Sequence, residues 1–368
     1  MWRKFFILHL FWVFIKTEKN DKGVFRMNDL FTPYKLKGLE MKNRIVMPPM
    51  CQYSVNAKDG IATDFHYLHY VSRAIGGAGF IIIEMTDVEP DGRISDFDLG
   101  LWSDDQIPAL KRIVEACHKY GAKVGIQIAH AGRKAEDAEV PVAPSAIAFD
   151  ENYKQPRALS TEEVREMVEK FRKAVQRAVK AGVDAIEIHG AHGYLIHQFH
   201  SPLTNKRDDE YGEDLTKFGC EVLRAAKEEM PEDMPLIMRI SAKEYVEAGY
   251  DIEESIEFAK KYQEEGVDIF DISSGGEGPI GAGGRPGTHA GYQVPLAREI
   301  KKALNVPVIA VGRLDEPTLA NAVIGNEEAD LIAVGRGMLR NPYWALEASK
   351  KLNKETEIPK QYVDGFRR

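Results

Sequence analysis

The chain has only three cysteines in 368 residues, Cys51, Cys117 and Cys220. They are too few and too far apart for a disulfide framework, a zinc site or a four-thiolate iron–sulfur cluster. A reducing, cytoplasmic setting follows as the expectation. Basic excess is also missing: 49 lysines and arginines against 57 aspartates and glutamates give a formal net charge of −8. Both signs are spread along the chain, and no cationic stripe is available to neutralise phosphates, which argues against a nucleic-acid partner. The apolar run Phe5 to Ile15 is too short to span a bilayer. Trp2-Arg3-Lys4 ahead of it resembles the start of a signal peptide, but Lys16-Thr17-Glu18-Lys19-Asn20-Asp21-Lys22 follows with no small-residue cleavage site. Residues 1–26 are therefore expected to be a non-domain extension without stable membrane insertion. A single domain is expected over 27–368, opening at Met27 and Asn28-Asp29-Leu30-Phe31-Thr32-Pro33.

A composition of 44% hydrophobic and 29% charged residues is that of an ordinary globular protein with a large core. From Asn43 onward, short β-branched apolar runs alternate with segments of helical period. The expected strands are Arg44–Met47, Phe80–Glu84, Lys123–Ile128, Asp184–His189, Leu236–Ile240, Ile269–Ile272, Val308–Val311 and Leu331–Val334. Ser160 with Glu163 forms a capping box, and Val164, Met167, Val168, Phe171, Val175 and Val179 recur at helical spacing before Gly182. Ser103 with Gln106, followed by Leu110, Ile113, Val114 and Cys117 before Gly121, repeats the design. Cys117 thus belongs to an apolar helix face, and Cys220 reads the same way. Eight βα units predict an α/β protein, a single-domain (β/α)8 TIM barrel, rather than a doubly wound sheet. Gly276-Glu-Gly-Pro-Ile-Gly281 fits G-x-G-x-x-G but opens no helix, so it reads as a long loop after the sixth strand.

The most informative stretch is Asp184-Ala-Ile-Glu-Ile-His-Gly-Ala-His-Gly-Tyr-Leu195. An apolar strand ends there in His189, His192 and Tyr194, with Gly190 and Gly193 freeing the backbone for a close approach. A second polar cluster, Asn205-Lys206-Arg207-Asp208-Asp209, follows it. In a barrel the C-terminal strand ends form one rim and carry the active site. Here that rim gathers Pro48-Pro49-Met50-Cys51-Gln52-Tyr53-Ser54, Gln127 with His130 and Arg133, the His189/His192/Tyr194 cluster, and Arg239. Val311-Gly312-Arg313 and Val334-Gly335-Arg336 end the seventh and eighth strands. Paired glycines and cations at those two positions suit a phosphate. Arg313 and Arg336 read equally as surface ion pairs, Arg133 as a loop tie and Gln127 as a satisfied core amide. No set of metal ligands joins the two histidines, and no strand ends in a Schiff-base lysine. A site with hydrogen-bond donors and no nucleophile suits redox chemistry by a bound cofactor. A phosphate-binding barrel aldolase or isomerase without flavin, or a catalytically silent ligand-binding relative, is the alternative.

Met47-Pro-Pro-Met-Cys-Gln-Tyr-Ser54, Gln127-Ile-Ala-His-Ala-Gly-Arg133, His189-Gly-Ala-His-Gly-Tyr-Leu195 and Ile332-Ala-Val-Gly-Arg-Gly-Met338 resemble motifs of the Old Yellow Enzyme family of FMN-dependent ene-reductases. With cysteine in the first motif, the chain is similar to the thermophilic-like NADPH dehydrogenase branch. The resemblance implies an NADPH dehydrogenase that reduces the activated C=C bond of α,β-unsaturated carbonyl compounds by hydride transfer from flavin N5, with FMN as cofactor and NADPH or NADH as reductant. It implies that Pro48, Pro49, Met50 and Cys51 wrap the flavin ring, with Met85 at its flank, and that the Cys51 thiol tunes its potential. Gln127 and Arg239 would bond the pyrimidine end. Val311, Gly312, Gly335 and Arg336 would hold the phosphate end. His189 and His192 would bind the substrate carbonyl with Tyr53 opposite, and Tyr194 would donate the proton. The resemblance also implies a homo-oligomer, dimer or tetramer. That branch ends in Tyr-Glu-Arg-Gly-Trp, with its arginine shared between subunits. This chain ends in Tyr362-Val-Asp-Gly-Phe-Arg-Arg368, so Asp364 stands in that arginine's place, with Arg367 and Arg368 beyond it.

Overall fold

The computed structural model describes residues 28–277 and 289–366. The expected N-terminal extension, most of the glycine-rich loop after the sixth strand, and Arg367 and Arg368 lie outside the described residues. All eight expected strands form: β1 (Ile45–Met47), β2 (Phe80–Asp87), β3 (Lys123–Ala129), β4 (Ala185–Gly190), β5 (Leu236–Ser241), β6 (Ile269–Ser273), β7 (Val308–Ala310) and β8 (Leu331–Ala333). Neighbours in sequence pair in parallel, and β8 pairs with β1 through Ile332↔Ile45, which closes the barrel. The intervening helices are α1 (Asp64–Ile75), α2 (Ile107–His118), α3 (Thr161–Ala181), α4 (Lys217–Glu229), α5 (Ile252–Glu264), α6 (Val294–Leu304) and α7 (Pro317–Gly325), with α8 (Trp344–Lys351) after β8. None among the described residues is long and apolar enough to cross a membrane.

Period-2 alternation sorts each strand onto two faces. Ile81, Ile83, Val124, Ile126, Ile186, Ile188, Met238 and Phe270 pack outward with the apolar helix faces. Val46, Phe80, Ile82, Ala185, Ile237, Ile269, Ile309 and Leu331 fill the interior. The capping boxes form as expected: Ser160 Oγ accepts from Glu163 N at 3.2 Å, while Ser160 N donates to Glu163 Oε2 at 2.8 Å. Ser103 does the same with Gln106, through one 3-10 turn ahead of α2. Cys117 is buried in the helix–strand core, and Cys220 packs against it.

A hairpin that the periodicity did not suggest, Tyr34–Leu36 with Leu39–Met41, precedes the barrel. Leu39 and Met41 join the interior cluster and plug its N-terminal mouth. The opposite end stays polar, and the site lies there.

Candidate active site

The interior faces of β4, β5 and β6 change from apolar to polar toward their C-terminal ends. Above Ala185, Ile237 and Ile269 stand Glu187, Arg239 and Asp271, and above these His189, Ser241 and Ser273, in steps of two residues. Gln127 joins the middle layer, its Nε2 donating to Glu187 Oε1 at 2.7 Å. Arg239 Nε lies 3.2 Å from Asp271 Oδ2 but without hydrogen-bond alignment, so this buried N–H has no acceptor among the described residues. Glu187 and Asp271 are fully buried, and lost hydration pushes both carboxyls up while the Arg239 charge opposes it. The layer therefore holds a guanidinium that is under-satisfied by its own neighbours. Glu187 and Asp271 were not anticipated; the alternation of β4 and β6, with a polar residue every second position, was the available signal.

The histidines and tyrosine of the β4 motif come together. His189 is edge-on to His192, with ring centres 5.2 Å apart, and lies 5.2 Å from the Tyr194 ring. Burial, and next the Arg239 charge, hold both imidazoles well below the usual histidine range, so each is neutral at pH 7. His192 Nε2 sits 2.7 Å from Ser273 Oγ, while His189 Nδ1 is buried without a partner among the described residues. Burial pushes the Tyr194 phenol well up, so it keeps its proton, and its hydroxyl bonds to no described residue. Lys134 places its ammonium 5.6 Å from the Tyr194 ring centre and 4.0 Å from that of Phe149, and burial lowers it to about 8.

The backbone of this turn is unusual. His192 and Gly193 have φ of +60° and +72°, and Gly276 beyond β6 has φ of +122°. A Cβ on Gly193 would lie 2.3 Å from Gly276 O, and one on Gly276 2.2 Å from His192 C. The two loops touch backbone to backbone, which only glycine permits. Lys134 Nζ donates to His192 O at 2.8 Å and also to Gly276 O, tying the loops together.

A bulge carries β2 into the rim. The β2–β3 register shifts between Ile83 and Thr86, which breaks the alternation: Glu84 turns toward α1, where Tyr70 Oη donates to it at 2.8 Å. Glu84 Oε2 also accepts from Gln52 N at 2.6 Å. Met85 faces the site and shares a small cluster with Ala129, Ala131, Cys51 and Tyr194. Loss of hydration, then the nearby carboxyls of Asp98, Glu84 and Asp87, hold Cys51 as a thiol far above the usual range. Tyr53, with φ of +50°, stands half-exposed at the rim.

The ends of β7 and β8 meet the β1 motif. Among the described residues, a Cβ on Gly335 would touch only Met50 Sδ at 3.4 Å and Pro48 Cγ at 3.6 Å, which leaves this backbone open on that side. Gly312 has φ of +133°, and its carbonyl accepts from Gly291 N at 2.8 Å. Val311 O accepts from Gln293 Nε2 at 3.1 Å. Arg336 makes no ion pair among the described residues. Arg313 is engaged within the chain.

Two candidate groups prove structural. Arg133 ties loops, bonding the buried Glu277 carboxylate and the carbonyls of Ile147 and Ala148. Asn205 bonds Phe199 O and Tyr211 O, and Arg207 bonds Asp209 and Pro144 O, so that cluster braces the loop after β4. The sequence reading did not single out His197, Glu244 and Glu277, whose ligand-type atoms lie within 4.8 Å of one another. His197 is already committed as a hydrogen-bond bridge, since its Nδ1 accepts from Gly193 N at 2.8 Å.

An FMN fits these residues. Unsatisfied Arg239 Nε and the Gln127 amide suit the pyrimidine end of a flavin, and the open backbone at Gly335 with Arg336, beside the Gly312 turn, suits a phosphate. The comparisons agree. A curated NADPH dehydrogenase of Listeria monocytogenes serotype 4b is 51% identical over 339 residues, 91% of this chain and 98% of that protein. Among solved structures, morphinone reductase superposes with a TM-score of 0.75 at 27% identity, covering 90% of this chain and 92% of that one. A 2-naphthoyl-CoA reductase gives a TM-score of 0.82 at 26% identity over 89% of this chain, which spans 52% of that longer one. The NADH:flavin oxidoreductase / NADH oxidase family matches residues 29–355, the whole of the closed barrel and every rim residue described above, and the chain belongs to that family.

Proposed function

We propose that this protein is an ene-reductase that reduces the C=C bond of α,β-unsaturated carbonyl compounds. At the coarser level it is an FMN-dependent NADPH oxidoreductase, in keeping with its family and with relatives named NADPH dehydrogenase. A morphinone reductase has also been solved with tetrahydroNAD. FMN held by these residues would supply the hydride chemistry that links NADPH to the alkene.

The observation that carries the proposal is the neutral His189/His192 pair beside a protonated Tyr194. Each neutral imidazole has one N–H to donate, and two such donors in a dry pocket stabilise the negative charge that develops on a carbonyl oxygen as hydride arrives. Ser273 donating to His192 Nε2 would leave the His192 Nδ1 proton free for that role. Tyr53 at the rim would bound the carbonyl on the other side. Tyr194, whose hydroxyl bonds to no described residue, supplies the proton to the α-carbon and recovers it from solvent. Arg239 would offset negative charge at the pyrimidine end of the cofactor, and Gln127 would orient that end. Pro48, Pro49, Met50, Cys51 and Met85 line the ring, and Val311, Gly312, Gly335 and Arg336 anchor the phosphate. The Cys51 thiol adjusts the potential without attacking anything, as its protonated state requires.

Spectra of the purified protein test this reading. Flavin absorbance, its bleaching by NADPH without oxygen, and its return on adding cyclohexenone are expected in that order. Colourless protein with phosphate-dependent aldolase activity would overturn the proposal, and so would a reduced flavin that no enone reoxidises.

A further inference from the structure

The catalytic turn has to be held at two positive φ values, and its restraints converge on one buried side chain. Gly193 N donates to His197 Nδ1 at 2.8 Å. His197 lies one turn further on, in the short helix Leu195–His200, and is fully buried. A backbone N–H can only donate, so Nδ1 must be the acceptor and the ring proton must sit on Nε2. That proton faces Glu244 Oε1 at 3.1 Å and Tyr250 Oη at 3.0 Å. Glu244 is itself fixed, because its Oε2 accepts from Tyr250 N at 2.9 Å. Tyr250 Oη spends its own proton on Ser241 O at 2.7 Å, and Ser241 Oγ accepts from His192 N at 3.0 Å. The carbonyl side is held separately: Gln198 Nε2 donates to Gly193 O at 2.8 Å.

We infer that His197, with its tautomer fixed by Glu244 and Tyr250, is the positioning residue that holds the Gly193 amide and so aims His192 and Tyr194 at the substrate. His197 touches no reacting atom. Its effect runs through the turn it restrains: Gly193 lies between the two functional side chains, so a rotation of that peptide moves both. Glu244 and Tyr250 matter because they make Nε2 the protonated nitrogen. An imidazole with its proton on Nδ1 would oppose the Gly193 N–H instead of accepting it. The inference rests on the proposed roles of His192 and Tyr194, and the experiment separates the two.

The test uses the flavin-loaded enzyme with His197→Leu, His197→Asn and Glu244→Gln. Nitrogen-15 NMR of the imidazoles in the wild type should show one buried histidine locked as the Nε2–H tautomer, assigned as the signal missing from His197→Leu. In Glu244→Gln, whichever way the amide turns, one N–H faces another. Either His197 loses that single tautomer or the Tyr250 amide loses its acceptor, and a shifted His197 or Tyr250 nitrogen signal is expected. In anaerobic stopped flow, His197→Leu should slow enone-driven reoxidation of the reduced flavin roughly 100-fold, the scale of a small misplacement of catalytic groups. NADPH-driven reduction should fall much less. His197→Asn, whose Oδ1 can accept the Gly193 N–H, should recover most of the lost rate. An Nδ1–H tautomer in the wild type, an asparagine variant no better than leucine, or equal slowing of both halves would each overturn the inference. A wild-type enzyme whose reduced flavin ignores enones would instead sink the ene-reductase reading and leave the NMR result to stand by itself.

Discussion

Replacing Tyr194 with phenylalanine removes one oxygen and, on this structure, little else. The hydroxyl bonds to no described residue, while the ring packs with Met85, Ala129 and Ala131 and stands edge-on to His189 at 5.2 Å. Phenylalanine preserves those contacts, so unfolding free energy should change by less than about 0.5 kcal/mol and flavin occupancy should not move. The chemical cost is different. Burial pushes the phenol well above its usual range, so at neutral pH the wild type has an acid in place. A positioned general acid is worth about 10²- to 10⁴-fold. Solvent can still protonate the α-carbon in the variant, which favours the lower end: about 100-fold, or roughly 2.7 kcal/mol of barrier. Stopped-flow traces of the two half-reactions are the assay. Reduction by NADPH moves no proton to carbon and should stay within about twofold of wild type, while enone-driven reoxidation should show the full loss. Equal slowing of the two halves would mean that Tyr194 shapes the pocket, and an unchanged oxidative half would mean that the proton comes from elsewhere.

Replacing both His189 and His192 with alanine should leave flavin bound and cut enone reduction severely, because each oxyanion donor is worth about 3 kcal/mol; a wild-type rate with cyclohexenone would refute the carbonyl clamp. Cys51→Ala should shift the flavin midpoint potential and weaken substrate binding without abolishing turnover, as potentiometry and steady-state kinetics will show, and complete inactivation with flavin bound would refute a purely tuning role. Glu84 gives a pH prediction. Burial raises its carboxyl from 4.5 to about 8, so the folded state holds a proton that the unfolded state has released between those values. Stability attributable to this proton is full below about pH 4.5 and is lost as pH rises through about 8. Glu84→Gln should therefore flatten the fall in urea midpoint between pH 5 and 8.5, and an unchanged slope would show that Glu84 is ionised in the fold.

Much of the architecture is legible because its signals are local. Ser160 with Glu163 and Ser103 with Gln106 start helices through bonds spanning three residues, and apolar residues such as Ile186 and Ile188 mark a strand's outer face wherever that strand later sits. The rim residues are legible for a related reason: in a parallel barrel every strand points the same way, so whatever follows each apolar run falls at one end. His189, His192 and Tyr194 therefore meet Gln127, Arg239 and the Gly312 and Gly335 turns without any knowledge of strand pairing. The hairpin of Leu39 and Met41 escaped because its strands are only three residues each, too short for a period to register.

Local pattern along the chain thus carries the number of βα units, the order of the rim and the residue types that crowd it. Tertiary structure alone decided which of these polar groups touch. The register of β5 against β6 sets Arg239 beside Asp271 and leaves its Nε without an acceptor among the described residues, and the bulge in β2 turns Glu84 away and Met85 in. Arg133, equally polar on paper, spends its charge on Glu277 and two loop carbonyls, while His197, unremarkable in its helix, reaches back to the Gly193 amide and across to Glu244. Periodicity is written along a few consecutive residues, but a hydrogen bond between residues 47 apart depends on where barrel closure and strand stagger bring two backbones, and no local pattern encodes that distance.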